Sequence, residues 1–188
     1  MLSIRENVFE SNSSSVHSIT VTSKKVTDDW ENGKLIFVAD WGKFFSLDEL
    51  WGVANRCKVR EEESDQKWIK EHPNETNEYE HNSLKESAVI WNGLTKEIFV
   101  SIVADILKSD GYIDHNTDYD NPDSDWMFNL GDLTDRQKVV SVIINSFGDG
   151  IYANFDAYTN SLDCYETFWE DQNVDGVDVV AFGYYGHD

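Results

Sequence analysis

The first part of the chain combines β-type patterns with turn signals. Apolar and polar side chains alternate along residues 16–22, several of them β-branched, which predicts a half-buried strand. A second apolar run, residues 34–38, follows Asn32-Gly33, a dipeptide typical of tight hairpin turns. We therefore predict a β-hairpin or meander across residues 16–38.

Three later segments carry signals for the start of a helix. Ser46 opens a capping box that predicts a short helix through about Arg56. Thr95 precedes apolar residues spaced three and four positions apart, which predicts a helix that ends at Asp110-Gly111. A second capping box at Thr134 precedes an apolar run that ends near residue 148, where we predict a further helix.

The remaining segments predict loops and shorter elements. Residues 59–82 are highly polar and predict a surface excursion, while residues 110–126 form an acidic loop. Residues 151–156 and 177–182 are strand candidates, and residues 162–169 are a candidate short helix. Together these elements predict one α+β domain over residues 1–188, with a small, mostly antiparallel sheet and two to three packed helices.

The composition is typical of a folded protein. The 188 residues fit one domain, and seven Trp, eight Tyr and ten Phe can fill a core. Cys57 and Cys164 belong to no metal or redox motif and are typical of reduced thiols in a cytosolic protein. The polar N-terminus and the lack of an apolar run of about 20 residues predict neither a signal peptide nor a membrane span. We therefore expect a cytoplasmic protein.

Negative charge is concentrated in the second half of the chain. Residues 1–108 hold 13 Lys and Arg against 19 acidic residues, whereas residues 109–188 hold only Arg136 and Lys138 against 17. Such a field repels nucleic acid and anionic membranes and attracts basic surfaces. Direct binding to DNA or RNA is therefore excluded. Acidity that serves solubility alone is the simpler interpretation, but solubility does not require one half to lack nearly all basic residues.

An aspartate cluster in the acidic loop could carry chemistry. Closely spaced carboxylates can hold Mg²⁺ or Mn²⁺ for phosphoryl transfer, so a metal-dependent hydrolase is one alternative function. An anionic substrate would need nearby basic groups, and no Lys or Arg lies between Lys108 and Arg136. The cluster is equally suited to face a basic partner. Its members are Asp114, Asp118, Asp120, Asp123 and Asp125.

A second acidic motif resembles the first half of a calcium-binding EF-hand loop. Asp171, Asn173 and Asp175 place oxygen ligands at alternate positions, and Gly176 follows at the position of the sharp turn. The twelfth position is Phe182 instead of the required bidentate Glu. An ordinary Asp/Asn/Gly turn explains the same residues. Calcium is thus a weak candidate ligand.

Other enzyme signals are missing from the sequence. The five histidines are scattered, with no i, i+4 zinc pair, and Ser13–Ser15 beside His17 form no nucleophile elbow. No glycine-rich phosphate-binding motif is present. We therefore expect a protein that is not an enzyme and that needs no cofactor.

Aromatic residues accompany the acidic residues of the second half. Most of these side chains are expected in the core, but an exposed aromatic ring beside carboxylates is a good anchor for a protein interface. The residues concerned are Trp126, Phe128, Phe168, Trp169, Tyr184 and Tyr185.

The N-terminal residues 4–18, IRENVFESNSSSVHS, are the most distinctive stretch of the chain. They resemble the opening of a loosely defined group of proteins from phages and mobile elements of Gram-positive bacteria, which begin with an R-x-x-V-F-E-T-N-S-S-S-x-H-S pattern. Ser11 stands where that pattern has Thr. The resemblance covers only about these residues and implies a phage-like origin and a bacterial host cytoplasm, but no catalytic role.

Charge and resemblance together predict an acidic inhibitor that acts on a host protein. We expect it to bind and occlude a basic nucleic-acid-binding surface, in the manner of a nucleic-acid mimic. Expected partners are an RNA polymerase or sigma factor, a sliding clamp, or a defence nuclease. A structural or virion-associated acidic protein is a further alternative. The predicted binding residues are Asp114, Asp118, Asp120, Asp123, Asp125, Trp126, Glu166, Glu170 and Asp171.

Overall fold

The fold contains two antiparallel sheets and several helices, so the α+β prediction is confirmed. A computed structural model describes residues 15–72, 87–114, 117, 133–148, 150–162 and 165–187. The strands are β1 (Ser15–Ser23), β2 (Ile36–Val38), β3 (Lys43–Phe45), β4 (Tyr112–Ile113), β5 (Ile151–Tyr152), β6 (Glu166–Val174) and β7 (Val177–His187). The helices are α1 (Lys24–Glu31), α2 (Leu47–Glu71), α3 (Lys96–Ser109), α4 (Asp135–Phe147) and α5 (Phe155–Asn160). Residues 87–91 are also helical.

The strands form two sheets instead of the one predicted. Sheet A has three long strands in the order β1-β7-β6, and sheet B has four short strands in the order β3-β2-β5-β4. The ends of the described chain meet in sheet A, because Ser15 is paired with His187 and Ser23 with Val179. This non-local pairing joins residues more than 150 positions apart.

Sheet B is the middle layer of the fold, and the short strand β2 shows why. Side chains of a strand alternate between its two faces. Ile36 and Val38 belong to one hydrophobic cluster, and Phe37 between them belongs to a second cluster. All three side chains are buried, so both faces of this strand are covered.

Helices cover one face of sheet B. Leu50 of α2, Phe99 of α3 and Ile143 of α4 are fully buried in the first cluster, together with Ile113 and Ile151 from the sheet. The apolar residues of these helices recur at helical spacing, so each helix presents one continuous apolar stripe to the sheet.

Sheet A covers the other face of sheet B through an aromatic core. Phe37 of sheet B and Phe182 of sheet A lie 5.1 Å apart between ring centroids. Trp30 of α1 is fully buried between them, and its indole N–H donates a hydrogen bond of 2.9 Å to the carbonyl oxygen of Tyr152. Burial raises the pKa of the Tyr158 phenol in the same cluster. Among the described residues, this core packs against one face of sheet A.

The helices with strong N-terminal caps lie where the sequence predicts them. The hydroxyl of Thr95 accepts a hydrogen bond from the backbone N–H of Ile98, and Thr134 forms a complete capping box with Gln137. The capping box of Ser46 is also present, but the predicted end near Arg56 is wrong. Helix α2 continues to Glu71, so residues 59–71 extend this helix with mostly exposed side chains.

The predicted hairpin across residues 16–38 is wrong. Strand β1 pairs with β7, and the residues that follow β1 form helix α1. Asn32-Gly33 does make a turn, but it ends this helix: Asn32 is the C-cap, and Gly33 adopts a φ of 71°. Gly is common there because a left-handed φ costs it no steric strain.

Two further predictions near the C-terminal end are also wrong in part. Strand β5 ends at Tyr152, and Phe155 begins helix α5 instead of continuing the strand. The candidate helix over residues 162–169 is not formed, because Glu166 begins strand β6. The strand predicted over residues 177–182 is confirmed and runs on to residue 187.

Candidate protein-binding face

The side of sheet A that faces away from the aromatic core is the candidate functional site. Val180 and Phe182 of β7 point into the core, so the alternate residues of β7 project to the other side. Directly opposed residues of antiparallel strands lie on the same side of a sheet. We call this side the outer face and define it by Ile19, Val21, Glu166, Phe168, Glu170, Ala181, Gly183 and Tyr185.

The outer face is built of three rows across the strands. The first row pairs Glu166 with Tyr185. In the second row Gly183 lies between Ile19 and Phe168 and contributes no side chain. In the third row, Val21 of β1 and Glu170 of β6 lie on either side of the small residue Ala181.

Apolar side chains are unusually exposed on this face. Within the described residues, five large apolar side chains are more than a third exposed, and three of them project from this side of sheet A. They are Ile19 at 44%, Tyr185 at 40% and Val177 at 54%. Phe168 is half-buried, and its ring centroid lies 6.3 Å from that of Tyr185. Ile19, Phe168 and Tyr185 lie in neighbouring rows, whereas Val177 lies at the hairpin end of β7. Contiguous exposed apolar groups of this kind are typical of interaction surfaces.

Carboxylates border the aromatic pair. Glu166 and Glu170 are exposed and lie on either side of Phe168 along β6. The Glu166 carboxylate accepts a hydrogen bond from the Tyr185 hydroxyl, and this bond, with the negative charge, raises the pKa of Tyr185. Strands β1, β6 and β7 contain no Lys or Arg. Within these three strands, the outer face therefore combines apolar anchors with carboxylates and has no Lys or Arg beside them.

Asp171, which the sequence groups with Glu166 and Glu170, lies on the opposite side of β6. Its carboxylate accepts a hydrogen bond of 2.8 Å from the Lys24 ammonium group. This bond lowers the pKa of Asp171 and raises that of Lys24. The carboxylate therefore serves to hold β6 against the start of α1 and is not part of the outer face.

The stretch that resembles an EF-hand loop is a hairpin between two strands. Val174 pairs with Val177, and the two turn residues, Asp175 and Gly176, have φ angles of 53° and 83°. Two positive φ values in a two-residue loop define a type I′ turn. Asn173 accepts a hydrogen bond from the Gly176 N–H and donates one to Asp178. The Asn173 side-chain oxygen is therefore committed to the turn, and the Asp171 carboxylate binds Lys24.

The predicted aspartate cluster is represented by Asp114 alone, because residues 118–132 lie outside the described residues. Asp114 is only 9% exposed. Its backbone N–H donates a hydrogen bond of 2.7 Å to the Thr117 hydroxyl, and that hydroxyl contacts the Asp114 carboxylate at 3.3 Å. This residue stabilises the turn after β4. In the ranges that the structure describes, no three His, Cys, Asp or Glu side chains group as metal ligands.

The aromatic residues singled out in the sequence divide between core and surface. Trp169 and Tyr184 pack against the buried aromatic cluster, whereas Phe168 and Tyr185 belong to the outer face. The period of two along β6 and β7 separates them, which only the strand assignment reveals. Trp126 and Phe128 lie outside the described residues.

The sequence carries no signal that marks Ile19 and Val21 as functional residues. The alternation in residues 16–22 already places them on one side of a strand. What the sequence does not show is that this side is the solvent side, because the partner strand β7 is distant in the chain.

A groove of about 500 Å³ lies on another part of the molecule. Its floor is apolar and includes Leu47, Val100 and Leu107, and its lining contains neither histidine nor cysteine. Two rim charges are already paired, because Lys34 binds Asp29 at 2.7 Å and Asp48 binds Lys96 at 3.1 Å. The groove lacks the set of converging polar groups that a catalytic pocket uses.

No family model matches this chain, and neither a curated protein nor a solved structure is significantly similar to it. In the described part of the chain, none of the helices has the length and apolar character needed to cross a bilayer.

Proposed function

We propose that this chain is a phage-type inhibitor that binds a basic nucleic-acid-binding surface of a host protein and occludes it. The observation that carries the proposal is the outer face, where Ile19 and Tyr185 are exposed beside Glu166 and Glu170 and where strands β1, β6 and β7 contribute no Lys or Arg. The resemblance of residues 4–18 to phage and mobile-element proteins supports the host-directed role.

The two kinds of side chain would contribute differently to binding. Buried aromatic residues such as Tyr at the centre of an interface typically supply most of the binding free energy. Carboxylates mainly raise the association rate and select basic partners. A net charge of −21 extends this attraction beyond the contact surface. The same charge repels nucleic acid. The chain and nucleic acid would therefore not bind together and would compete for the basic surface of the partner.

The aspartates at positions 118, 120, 123 and 125 are proposed as a second contact region. They lie outside the described residues, and the proposal for them depends on their charge and spacing in the sequence. The candidate partner classes are an RNA polymerase or sigma factor, a sliding clamp, and a defence nuclease.

The test begins with affinity capture. The purified chain is immobilised, incubated with lysate of a Gram-positive host treated with nuclease, and the retained proteins are identified. Each retained protein is then produced separately, and its binding to duplex DNA or to RNA is measured with and without the chain. We expect the chain to reduce nucleic-acid binding in proportion to complex formation. If a retained partner binds nucleic acid equally well with and without a saturating concentration of the chain, occlusion is refuted.

Charge variants connect the result to the outer face. Glu166→Gln with Glu170→Gln should slow association with the partner and weaken its dependence on ionic strength. The matched control is Glu63→Gln with Asp105→Asn, which removes the same charge from exposed positions of α2 and α3 on the helical side of sheet B. Equal effects of the two double variants would show that total charge, and not the outer face, determines binding.

A further inference from the structure

Strand β6 has one open edge in the described part of the molecule. Sheet A has the order β1-β7-β6, so β6 is paired with β7 along nine residues and has no described neighbour on its other side. An open edge presents backbone N–H and C=O groups that can pair with an additional strand.

The hairpin geometry determines which backbone groups are available. In a two-residue hairpin, the residues that flank the turn form a hydrogen-bonded pair, and such pairs then alternate along the ladder. Val174 and Val177 flank the turn here, so Gln172, Glu170 and the alternate residues before them bond to β7. The backbone groups of the intervening residues point to the open edge. These residues are Thr167, Trp169, Asp171 and Asn173.

The charge of β6 selects the kind of strand that can pair with this edge. An added strand would place its side chains beside Glu166, Phe168 and Glu170 on the outer face, at alternate positions. Pairing of β6 with β6 of a second copy would bring carboxylates together, and like charges in opposed positions are destabilising. Basic side chains on either side of an apolar one would match this edge instead.

The two edge strands of sheet A differ in the charges they carry. Strand β1, at the other edge, carries no Asp, Glu, Lys or Arg in Ser15–Ser23, so its charge does not select a partner. Natural proteins commonly protect an edge strand with charged side chains. On β6 the charges are all of one sign, which blocks self-association and still permits a basic strand.

We propose that the partner presents an extended segment with basic residues at alternate positions around an apolar residue, and that this segment adds to β6 as a fourth strand of sheet A. The inference rests on the proposed function, because it specifies how a basic partner is recognised. The backbone hydrogen bonds would supply register, and Glu166 and Glu170 would supply the preference for Lys or Arg.

The test uses a blocked synthetic nonapeptide of sequence TKTITKTVT, in which two Lys flank an Ile at alternate positions. Binding is measured by amide NMR spectroscopy and hydrogen exchange on the full chain. We expect slower exchange at the backbone amides of Thr167, Trp169, Asp171 and Asn173 on addition of the peptide. A peptide with Glu in place of both Lys should bind about tenfold more weakly or not at all.

Two protein variants separate backbone pairing from charge. Thr167→Pro removes a donor that faces the open edge, where Pro is tolerated in a strand, and should reduce peptide affinity by about tenfold or more. Glu166→Gln with Glu170→Gln should reduce it about three- to tenfold, and Glu63→Gln with Asp105→Asn should leave it unchanged. If Thr167→Pro disturbs the fold, hydrogen exchange on the unaltered chain still shows whether the peptide pairs with the open edge of β6.

Several results would overturn the inference. Protection of the four amides before any peptide is added would show that a segment of this chain already occupies the edge. Peptide binding without a change at these amides would place the contact elsewhere. If a captured nucleic-acid-binding protein is inhibited equally by the chain and by its Thr167→Pro variant, the proposed function stands and strand addition is refuted. If no such protein is inhibited but the peptide protects the edge, the proposed function fails and the strand-binding edge remains.

Discussion

Replacing Trp30 by Phe tests the interpretation of the aromatic core as the connection between the two sheets. Trp30 is fully buried, with its ring 5.3 Å from Phe37 of sheet B and 5.2 Å from Phe182 of sheet A. Its indole N–H also donates the 2.9 Å hydrogen bond to the carbonyl oxygen of Tyr152. Phe retains an aromatic ring at this position but removes the donor and part of the volume.

The expected loss of stability follows from two contributions. Removal of a buried hydrogen-bond partner costs about 1–3 kcal/mol. The void beside the smaller ring adds about 1 kcal/mol, at roughly 24 cal/mol per Å³ of cavity. Trp30→Phe should therefore lower the free energy of unfolding by about 2–4 kcal/mol, a large fraction of the roughly 5–15 kcal/mol of a typical domain.

The measurement is equilibrium urea denaturation followed by far-ultraviolet circular dichroism, with an unchanged slope as the sign of intact two-state unfolding. Trp51→Phe is the matched control. Trp51 is half-buried, packs against Trp91 and Phe99, and has no hydrogen-bond partner for its indole among the described residues. Trp51→Phe should therefore lower the free energy of unfolding by only about 1 kcal/mol. Equal losses for the two variants would refute the role given to the Trp30 hydrogen bond.

Three further predictions concern sheet A and helix α2. Lys24 lowers the pKa of Asp171 in the folded state. The ionised carboxylate therefore stabilises the fold fully above its unfolded pKa of about 4. This stabilisation is lost as the pH falls through the lower pKa of the folded state. Asp171→Asn should therefore flatten the curve of melting temperature against pH below about pH 4; parallel curves for variant and unaltered chain would contradict this. Gly183→Ala would press a Cβ against the carbonyl oxygen of Ser18 and should cost about 2 kcal/mol or more. Gly52→Ala on α2, whose Cβ would meet only the Arg56 guanidinium at 3.6 Å, should instead stabilise the fold by about 0.5–1 kcal/mol in the same urea titration. A stabilising Gly183→Ala variant would show that the β1–β7 contact at this position is looser than described.

The elements that the sequence predicts well are those with local causes. Thr95 and Thr134 begin helices because their hydroxyl groups accept hydrogen bonds from residues three positions further along the chain. The pairing of β1 has no such local signal, since its partner lies more than 150 residues away. Asn32-Gly33 illustrates the resulting error: the dipeptide makes a turn in either context, and only the tertiary structure decides between a hairpin and a helix end.

The candidate site was predictable to a similar degree. Charge alone predicts Glu166 and Glu170 as binding residues, and both lie on the outer face. Asp171 was grouped with them because neighbouring acids look alike in a sequence, whereas a strand sends it to the other side, where it binds Lys24. The exposure of Ile19 and Tyr185 could not be predicted, because it depends on which side of sheet A packs on sheet B.

The pairing of β1 with β7 also has a consequence for synthesis on the ribosome. Strand β1 is translated well before its hydrogen-bonding partner β7, which is the last described strand. At about 5–20 residues per second, roughly 10–30 s separate the two. During this interval β1 has no partner strand, so sheet A and the face it carries can form only after β7 has left the ribosome. A nascent chain halted before residue 177 would therefore hold the helical layer without the binding face.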